Sequence, residues 1–447
     1  MEDMKKELKD IYAQAVVVGA GAGGFGAAYT LAKQKIKTVL IEKNPGLGGT
    51  AVYGGVNCWE PGVATGELHQ LIRKRLQAIP GACAVCKTVD NSLLLEPEKK
   101  PSTDDRKQYP WGLSVTAEES VYEDTLKRCP ALVEKSNMRR FLFEPRAMEQ
   151  VLNELLAECG DFITVFTETR FVACETEGRA MKSVTVQNAE GQWKIYADYF
   201  VDSTGDIVLA REAGCEVTIG RESRDQYGEP SAGEKDDMAI NGVSYVFRIR
   251  KSEDPEHVDP YVPDQRAISR RVSACFNQYT NGEINVNMLP TLLGREYLAF
   301  GDQAEEVGRA TALDYWNRLQ LQHGMKGYEL MYFFPMTGVR ESYRLVGKYV
   351  LTEHDLMAGT EEDALRGEIA TIADHPRDRH GEAGGCADVP GPYGIPISCT
   401  EAKEFDNLFV ACRGASFSSV AAASARLTRT MLGLGEAVGR AIAKRLQ

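Results

Sequence analysis

Two short apolar runs near the start of the chain predict neighbouring strands of a sheet. They cover residues 15–18 and 38–41, and Thr38 is their one polar residue. Apolar runs of this length, without polar alternation, are typical of parallel strands that are buried on both faces. Residues 26–33 predict a helix between them. A strand, a helix and a strand within about thirty residues predict a βαβ unit.

Later segments show the same two kinds of pattern. A predicted helix over residues 145–158 has one apolar face, which carries Met148, Val151, Leu152 and Leu155. Further strands are predicted at residues 163–166, 183–187, 193–201, 243–250 and 408–412. Two more helices are predicted, one near residues 303–322 and one that follows Ser424 and runs to about Leu446.

A glycine pattern between the first strand and the first helix predicts a dinucleotide site. Gly19, Gly21 and Gly24 have the spacing G-x-G-x-x-G. Gly19 permits the tight turn, Gly21 lets the backbone approach a pyrophosphate, and Gly24 allows the helix to pack closely on the strand. The helix N-terminus offers unpaired N–H donors to the phosphates. Glu42 ends the second strand and is the carboxylate expected to accept the adenosine ribose hydroxyls.

Three distant segments distinguish FAD from NAD, since both dinucleotides use this glycine pattern. Residues 43–50 read KNPGLGGT, residues 202–206 read DSTGD, and DNLFVACR begins at residue 406. In order, they resemble the loop beside the FAD diphosphate, the ATG turn after the third strand, and the final strand of the glutathione reductase superfamily. Over most of its length, the sequence is similar to the FAD-dependent oxidoreductase family of bacterial enzymes. The resemblance implies that FAD is the cofactor.

The resemblance also implies a fold class, an α/β fold with a Rossmann-type FAD-binding domain like that of glutathione reductase and an inserted α+β substrate or cap domain. We expect the FAD-binding domain in three parts, over residues 13–77, 131–224 and 336–447. Residues 225–335 are expected to form the substrate or cap domain. Residues 78–130 lack clear periodicity and predict an irregular insertion or a lid.

The family's cofactor contacts carry over to positions spread along the chain. They are Gly19, Gly21, Gly24, Glu42, Lys43, Gly49, Thr50, Thr204, Gly205, Asp206, Arg413 and Ser424. The resemblance places the start of the C-terminal helix at the isoalloxazine, where a helix N-terminus stabilises negative charge on the reduced flavin. One departure is Cys412, since the family more often has Gly-Arg-Cys where this chain has Cys-Arg-Gly.

Composition and charge limit the classes of partner that the chain is expected to bind. The chain has 447 residues and a net charge of -12, which repels phosphate backbones and anionic lipid headgroups, so no nucleic-acid partner is expected. The N-terminus has mixed charges and no secretion signal, and no apolar run approaches ~18 residues, so we expect no membrane insertion and a cytoplasmic location. The 11 cysteines are expected to be reduced thiols. Cys83 and Cys86 have no companion ligands for zinc, and no metal is predicted.

The residues after the Gly-Gly-Thr loop exclude a dithiol mechanism at that place. The superfamily's disulfide reductases carry C-x4-C there, where this chain has Ala51 and Val56. Cys58 lies two residues further and is a candidate single thiol at the flavin, or a buried and inert cysteine. No second G-x-G-x-x-G follows a strand, so a separate NAD(P)H domain is not predicted.

Candidate substrate contacts lie between residues 339 and 356. Arg340 and Arg344 share a face if this segment is helical, and such a pair could clamp a carboxylate or stabilise an enolate. The alternative is a structural ion pair with an acidic neighbour such as Glu341. His354 is a candidate general base or a surface residue. Tyr393 is a candidate donor to a substrate oxygen or a simple turn aromatic.

The function that these patterns indicate is hydride transfer between a small organic substrate and the N5 atom of FAD. A different candidate is a fumarate-reductase-like ene reductase, for which six histidines in the whole chain are few. Two further candidates are an electron-transfer protein that binds FAD and an RNA-modifying protein, the latter opposed by the acidic charge. The expected partners are a small-molecule substrate, an unidentified electron donor or acceptor, and a second copy of the chain in a homo-oligomer.

Overall fold

The structure is a computed structural model that describes residues 8–59, 66–87, 89–90, 115–116, 139–268, 273–279, 281–378 and 386–447. Its strands are β1 (Leu8–Tyr12), β2 (Ala15–Val18), β3 (Thr38–Ile41), β4 (Cys58–Trp59), β5 (Cys83–Lys87), β6 (Val89–Asp90), β7 (Val115–Thr116), β8 (Arg139–Phe143), β9 (Ile163–Phe166), β10 (Arg170–Glu177), β11 (Ala180–Gln187), β12 (Gln192–Tyr196), β13 (Tyr199–Asp202), β14 (Val217–Thr218), β15 (Val246–Lys251), β16 (Ser273–Gln278), β17 (Ile284–Leu289), β18 (Tyr328–Phe333), β19 (Arg344–Leu345), β20 (Ile369–Ala373), β21 (Arg377–Asp378), β22 (Cys386–Ala387), β23 (Tyr393–Pro396) and β24 (Leu408–Val410). Its helices are α1 (Ala22–Lys33), α2 (Glu67–Gln77), α3 (Pro145–Ala157), α4 (Val208–Glu212), α5 (Arg224–Tyr227), α6 (Gly294–Phe300), α7 (Ala304–Gln322), α8 (Glu353–Ala358), α9 (Ser419–Ala425) and α10 (Thr428–Leu446).

A five-stranded parallel sheet carries the predicted βαβ unit. Its order is β24-β13-β2-β3-β9, and β2 pairs in register with β3 on one side and with β13 on the other. The chain runs from β2 outward to β3 and β9, then returns to β13 on the far side of β2. In open parallel sheets, ligands bind beyond the carboxyl ends of the strands at such a reversal of strand order. The turn that begins at Gly19 occupies this position.

The two faces of the parallel sheet are covered by different layers. On one face, Val17 packs with apolar residues of α1, α2, α3 and α10, among them Val151 and Val438. On the other face, Val16 packs with the antiparallel strands β11 and β12, for example at Ile195. Those strands belong to a four-stranded sheet of order β1-β12-β11-β10. The expected α/β fold is confirmed, and both faces of the buried strands are covered, as their unbroken apolar runs require.

A second sheet takes four of its five strands from the chain between β13 and β24, and its edge strand β6 comes from before β13. Its order is β18-β15-β17-β16-β6, and it packs one face against α7 through Phe247, Val286, Tyr315 and Trp316. We call this unit the cap sheet. The helix predicted near residues 303–322 is present as α7. No helix in the described part of the chain combines the length and the apolar character that crossing a membrane needs.

One local prediction was wrong. The strand predicted over residues 193–201 is two strands, β12 and β13, because the chain passes from the antiparallel sheet to the parallel sheet between them. The final helix predicted after Ser424 is present as α10, and the short helix α9 precedes it. Leu427 is extended between them, and Arg426 pairs with Asp378 and Arg429 with Asp374. Residues 78–130 stay a predicted insertion or lid, and their described residues include β5, which pairs with β7 and β8, and β6, which pairs with β16. The rest of that insertion lies outside the described residues.

Candidate active site

The turn after β2 requires glycine at two of the three predicted positions. Gly19 has a φ of +96°, and a Cβ there would lie 2.4 Å from the carbonyl oxygen of Ser203. A Cβ on Gly24 would lie 1.8 Å from the carbonyl oxygen of Gly19. Contacts this short leave no room for a methyl group. Gly19 and Gly24 therefore set the approach of α1 to the parallel sheet.

Gly21 has the opposite property, because it borders open space. A Cβ at Gly21, which precedes α1, would meet no atom of the described residues within 4 Å. No side chain caps the start of α1, so its first N–H groups remain available. Gly49 bounds this space from the next loop, since its own Cβ would lie 2.9 Å from the Gly21 Cα. The space in front of α1 fits a diphosphate held by backbone N–H donors.

Glu42 is held at the end of β3 by backbone and side-chain donors. Its carboxylate accepts from the Ala20 N–H at 2.7 Å, the Asn44 N–H at 2.9 Å and the Asn44 Nδ2 at 2.7 Å. A carboxylate has about four acceptor positions, so it keeps capacity for a ribose hydroxyl. Asn44, which no sequence motif marks, fixes this carboxylate. Lys43 is exposed, and Thr50 lies half-buried in the turn Gly49–Ala51.

The turn after β13 is stabilised by a buried carboxyl group. Asp202 is fully buried and accepts from the Thr204 N–H at 3.0 Å, the Thr204 hydroxyl at 2.8 Å and the Ala210 N–H at 2.9 Å. Burial raises the pKa of Asp202. The hydroxyl and the N–H of Thr204 are thus used inside the turn, so a contact from Thr204 to a cofactor falls to its backbone carbonyl. Gly205 has a φ of +84°, and a Cβ there would lie 2.6 Å from Arg413.

Asp206 and Arg413 connect the turn after β13 with the turn after β24. Arg413 donates to the Asp206 carboxylate at 2.9 Å, and the Ser342 hydroxyl donates to it at 2.6 Å. Ser342 was not found by the sequence analysis, because no motif marks it. The ion pair joins the ends of two neighbouring parallel strands, on the edge where the glycine turn also lies.

The start of α10 faces the same region as the start of α1. Thr428, the first residue of α10, lines a cleft together with Ala22, Gly48 and Ala51. Further along α10 the packing is closer, since a Cβ on Gly435 would lie 1.9 Å from the carbonyl oxygen of Gly23 in the first turn of α1. No side chain caps α10. Its N-terminus therefore presents uncapped N–H groups and a partial positive charge.

Ser424 was predicted to lie directly before the C-terminal helix. It lies inside the preceding helix α9, and α10 begins at Thr428. It is fully buried, its Oγ is 2.6 Å from the Tyr393 Oη, and its hydroxyl donates to the carbonyl of His375. Both hydroxyls are satisfied within the protein, so Ser424 and Tyr393 stabilise the packing of α9 on β23. Their expected contacts to cofactor and substrate gain no support from this geometry.

Arg344 is a structural cation, which corrects its predicted role in a substrate clamp. The segment from Arg340 to Arg344 is not helical, and Arg344 begins β19. Its fully buried guanidinium pairs with Glu222 and Glu341 and donates to the carbonyls of Gly220 and Phe417. Arg340 lies apart from it, half-buried, and donates to the carbonyl of Gly242 at 3.1 Å and to the Ser244 Oγ at 3.3 Å.

The other predicted catalytic residues lie in separate places. His354 is exposed on α8. Cys58 is a half-buried cysteine in β4 that packs against Leu142 and Tyr279. Burial raises the pKa of the Cys412 thiol to about 12, so it is protonated and unreactive at neutral pH. The structure therefore does not bring Cys58, Arg340 and His354 together as one catalytic group.

His69 is a buried imidazole that the sequence analysis missed. It is 1% exposed, its ring centroid is 4.2 Å from that of Trp59, and neither ring nitrogen has a hydrogen-bond partner in the part of the chain described. Burial, together with the charges of Arg429 and Arg73, lowers the pKa of His69 to about 3. The ring is therefore neutral, with one donor and one acceptor beside the first turn of α10.

The loop after β3 connects the glycine turn with the cap sheet. Gly49 approaches Gly21 at one end of this loop. At its other end, a Cβ on Gly55 would lie 2.5 Å from Phe334 and 2.7 Å from Val246 of β15. Tyr53 accepts a backbone hydrogen bond from Met336 at 2.9 Å. The seven residues from Gly49 to Gly55 thus reach from the diphosphate-binding turn to the cap sheet.

These features define a class of protein. The glycine turn lies at the strand-order reversal of a parallel sheet, an acidic residue ends the next strand, and a cap sheet covers the intervening loop. This combination is typical of a Rossmann-type flavoprotein. The chain belongs to the FAD dependent oxidoreductase family, whose model matches residues 14–447. The expected family, the enzyme class and the cofactor FAD are confirmed.

Relatives with assigned activities match only short segments. A 3-oxosteroid 1-dehydrogenase of Rhodococcus opacus is 42% identical over 52 residues, which are 12% of this chain and 10% of that protein. A 3-oxosteroid 1-dehydrogenase of Mycolicibacterium smegmatis is 37% identical over 91 residues, 19% of this chain and 16% of that protein. The chain thus matches less than a fifth of the length of either relative.

A solved structure matches the whole chain at low identity. It is a geranylgeranyl bacteriochlorophyll reductase-like protein from Thermoplasma acidophilum, with a TM-score of 0.51 and 14% identity. The match covers 98% of this chain and 79% of that one. This likeness supports the fold alone.

Proposed function

We propose that this protein transfers a hydride between a small organic substrate and non-covalently bound FAD. The observation that carries the proposal is the loop from Gly49 to Gly55, which adjoins the cofactor-binding turn at one end and the cap sheet at the other. A substrate held between the loop and the cap sheet would lie next to a flavin that follows the loop.

The residues present fit the cofactor. Backbone N–H groups at Gly21 and at the start of α1 would hold the diphosphate, and Glu42 would hold the ribose. The uncapped start of α10, beside the neutral ring of His69, would stabilise negative charge on the cofactor. When bound, FAD supplies the two-electron acceptor or donor of the reaction.

The protein's own contribution is orientation and exclusion of water. The cap sheet covers the loop after β3, where Gly55 is buried under Val246 and Phe334. In a site from which water is excluded, fixed dipoles stabilise charge more strongly than water does. Arg340 is a candidate contact for a substrate oxygen at the edge of this region. The alternative of a fumarate-reductase-like ene reductase loses support, because Arg344 is fully neutralised by Glu222 and Glu341.

Visible absorbance and anaerobic reduction test the proposal. The purified protein is expected to show flavin bands near ~375 and ~450 nm that acid precipitation releases into the supernatant as FAD. The holoenzyme is then mixed, without oxygen, with a panel of alcohols, ketones and 3-oxosteroids, and bleaching near ~450 nm marks hydride transfer to the flavin. A protein that binds FAD but is reduced by no small molecule would instead be an electron-transfer protein.

A further inference from the structure

The cap sheet has one apolar face and one polar face. In β17, Val286 and Met288 point toward α7 and the apolar core. The intervening residues Asn285 and Asn287 point to the opposite face, because side chains alternate along a strand. The neighbouring strand β15 places Arg248 opposite Asn285 in the register.

This polar face is buried against the loop after β3. The Asn285 Nδ2 donates to the carbonyl of Gly55 at 3.2 Å and to the Asn57 Oδ1 at 2.6 Å. Asn57 is 2% exposed and Asn285 is 1% exposed. Two amides therefore meet, away from water, where the cap sheet contacts the loop that carries the cofactor-binding Gly49.

The amides have more hydrogen-bonding capacity than the protein uses. The Asn57 Nδ2, the Asn285 Oδ1 and the Asn287 Oδ1 have no partner in the described ranges. The Gly55 carbonyl accepts only, so the Asn285 Nδ2 must face it, and the atom of Asn57 at 2.6 Å from this Nδ2 must be an acceptor. Turning either amide over would place like groups together. The unused donor of Asn57 is therefore fixed by its surroundings.

The charge of this polar face indicates what kind of group it binds. Arg248 is its buried cation, but it pairs with Glu144 at 2.7 Å and with Glu283 at 2.7 Å. The Tyr279 ring covers the guanidinium, with its centroid 4.0 Å away. These two carboxylates outnumber the one cation, so the face has no positive charge to offer an anion.

We propose that Asn57, Asn285 and Asn287 bind an uncharged polar group of the substrate, such as a carboxamide or a hydroxyketone. The Asn57 Nδ2 donates to the substrate's carbonyl oxygen, and the Asn285 and Asn287 oxygens accept from its N–H or O–H groups. A buried donor and buried acceptors left unpaired are costly, and such a ligand satisfies both. This inference rests on the proposed function, since it places the substrate between the cap sheet and the loop after β3.

Benzamide and benzoate test the inference, because they have nearly the same shape and differ in charge and in donors. Each is titrated into the oxidised holoenzyme, and binding is read from the flavin difference spectrum. We expect benzamide to bind at least about tenfold more tightly than benzoate. Stronger binding of benzoate, equal binding of the two, or binding of neither overturns the inference.

The substitution Asn57→Asp replaces the unused donor with a carboxylate oxygen and adds a charge, while an Asp oxygen still accepts from the Asn285 Nδ2. It is expected to weaken benzamide binding by about tenfold or more. Asn57→Ala removes the donor without adding a charge and is expected to have a similar effect. Asn317→Asp, on α7 in the same unit, is the matched control and should leave benzamide binding unchanged. Benzamide binding at wild-type strength in both Asn57 variants overturns the inference.

The titration needs no turnover, so it is independent of the proposed function. A holoenzyme that binds benzamide through Asn57, yet is reduced by no compound of the anaerobic panel, contradicts the proposed function and leaves this site standing. A holoenzyme that the panel reduces, but that prefers benzoate, contradicts only the inference about the substrate.

Discussion

The cofactor-binding turn and the polar face of the cap sheet offer different groups to a ligand: backbone groups in the first and side chains in the second. At the cofactor end, backbone groups form the site, and glycines such as Gly19 and Gly24 allow them to approach. Where the cap sheet meets the loop, the side chains of Asn57, Asn285 and Asn287 form the proposed site, and the paired Arg248 lies beside Asn285. A site made of backbone depends on shape, whereas a site made of side chains depends on charge and hydrogen-bond pairing.

The substitution Arg248→Met tests the side-chain site most severely. It leaves Glu144 and Glu283 without their cation and removes the contact with the Tyr279 ring. Breaking a buried ion pair on one side costs about 3–5 kcal/mol, and the partial exposure of both carboxylates favours the lower value, about 3 kcal/mol. The measurement is the free energy of unfolding in urea.

The matched control is Arg250→Met, on the same strand. Arg250 is exposed and pairs with Glu329, so its loss is expected to cost less than about 1 kcal/mol. Similar losses in the two variants would show that the cap sheet's buried cation has no special energetic role.

The substitution Gly24→Ala is the corresponding test of the backbone site. The new methyl carbon would lie 1.8 Å from the Gly19 carbonyl oxygen, so α1 must move away from β2. Overpacking of this kind costs about 1–3 kcal/mol, and we expect loss of bound FAD as well. Gly391→Ala is the control, because a Cβ there would meet no described atom within 4 Å. The free energy of unfolding and the ratio of flavin to protein absorbance measure both effects.

The two sites also differ in how far the sequence predicts them. Gly19, Gly21, Gly24 and Glu42 lie within one βαβ unit, so their spacing along the chain is their spacing in space. The polar face unites Asn57 with Asn285, which are 228 residues apart and meet only because β17 packs over the loop. No local pattern contains that contact. The apolar runs of the parallel sheet were predicted correctly for the same reason that the glycine turn was, since both are local signals.

Arg344 shows the limit of local spacing. Its distance from Arg340 in the sequence suggested a shared helix face, but the segment is extended at β19. Its partner Glu222 comes from a segment more than a hundred residues earlier. Whether an arginine binds substrate or completes a buried ion pair depends on such distant partners, which spacing cannot supply.

The substitution Gly21→Ala tests whether FAD affinity at the cofactor-binding turn can be lowered without a change in the free energy of unfolding. Gly21 has a φ of -68°, and its Cβ would enter the open space in front of α1. We therefore expect the unfolding free energy of the FAD-free protein to stay within about 0.5 kcal/mol of wild type. FAD affinity should fall by about tenfold, because the methyl group occupies space that the diphosphate needs. A fluorescence titration with FAD measures this, and an unchanged affinity would contradict the assignment of this space to the diphosphate.

Substitution of two glutamates near the start of α9 is expected to have the smallest effect on stability, and the effect should appear as a change in how the melting temperature depends on pH. Burial raises the pKa of Glu229, whose carboxyl accepts from the Ser418 hydroxyl and the Glu353 N–H. Burial opposes ionisation of Glu222 too, but Arg344 and the Ser419 N–H hold the pKa of Glu222 below its ordinary value.

The variants Glu229→Gln and Glu222→Gln should therefore differ from wild type in opposite directions. Wild type loses stability as the pH rises through the raised pKa of Glu229, so Glu229→Gln should become the more stable protein toward neutral and alkaline pH and match wild type in acid. The ion pair of Glu222 stabilises the fold above the ordinary glutamate pKa and is lost as the pH falls. Glu222→Gln should thus melt below wild type at neutral pH, with the gap closing in acid. Melting temperatures from about pH 4 to 8 decide this, and parallel curves for all three proteins would mean that neither carboxyl titrates differently on folding.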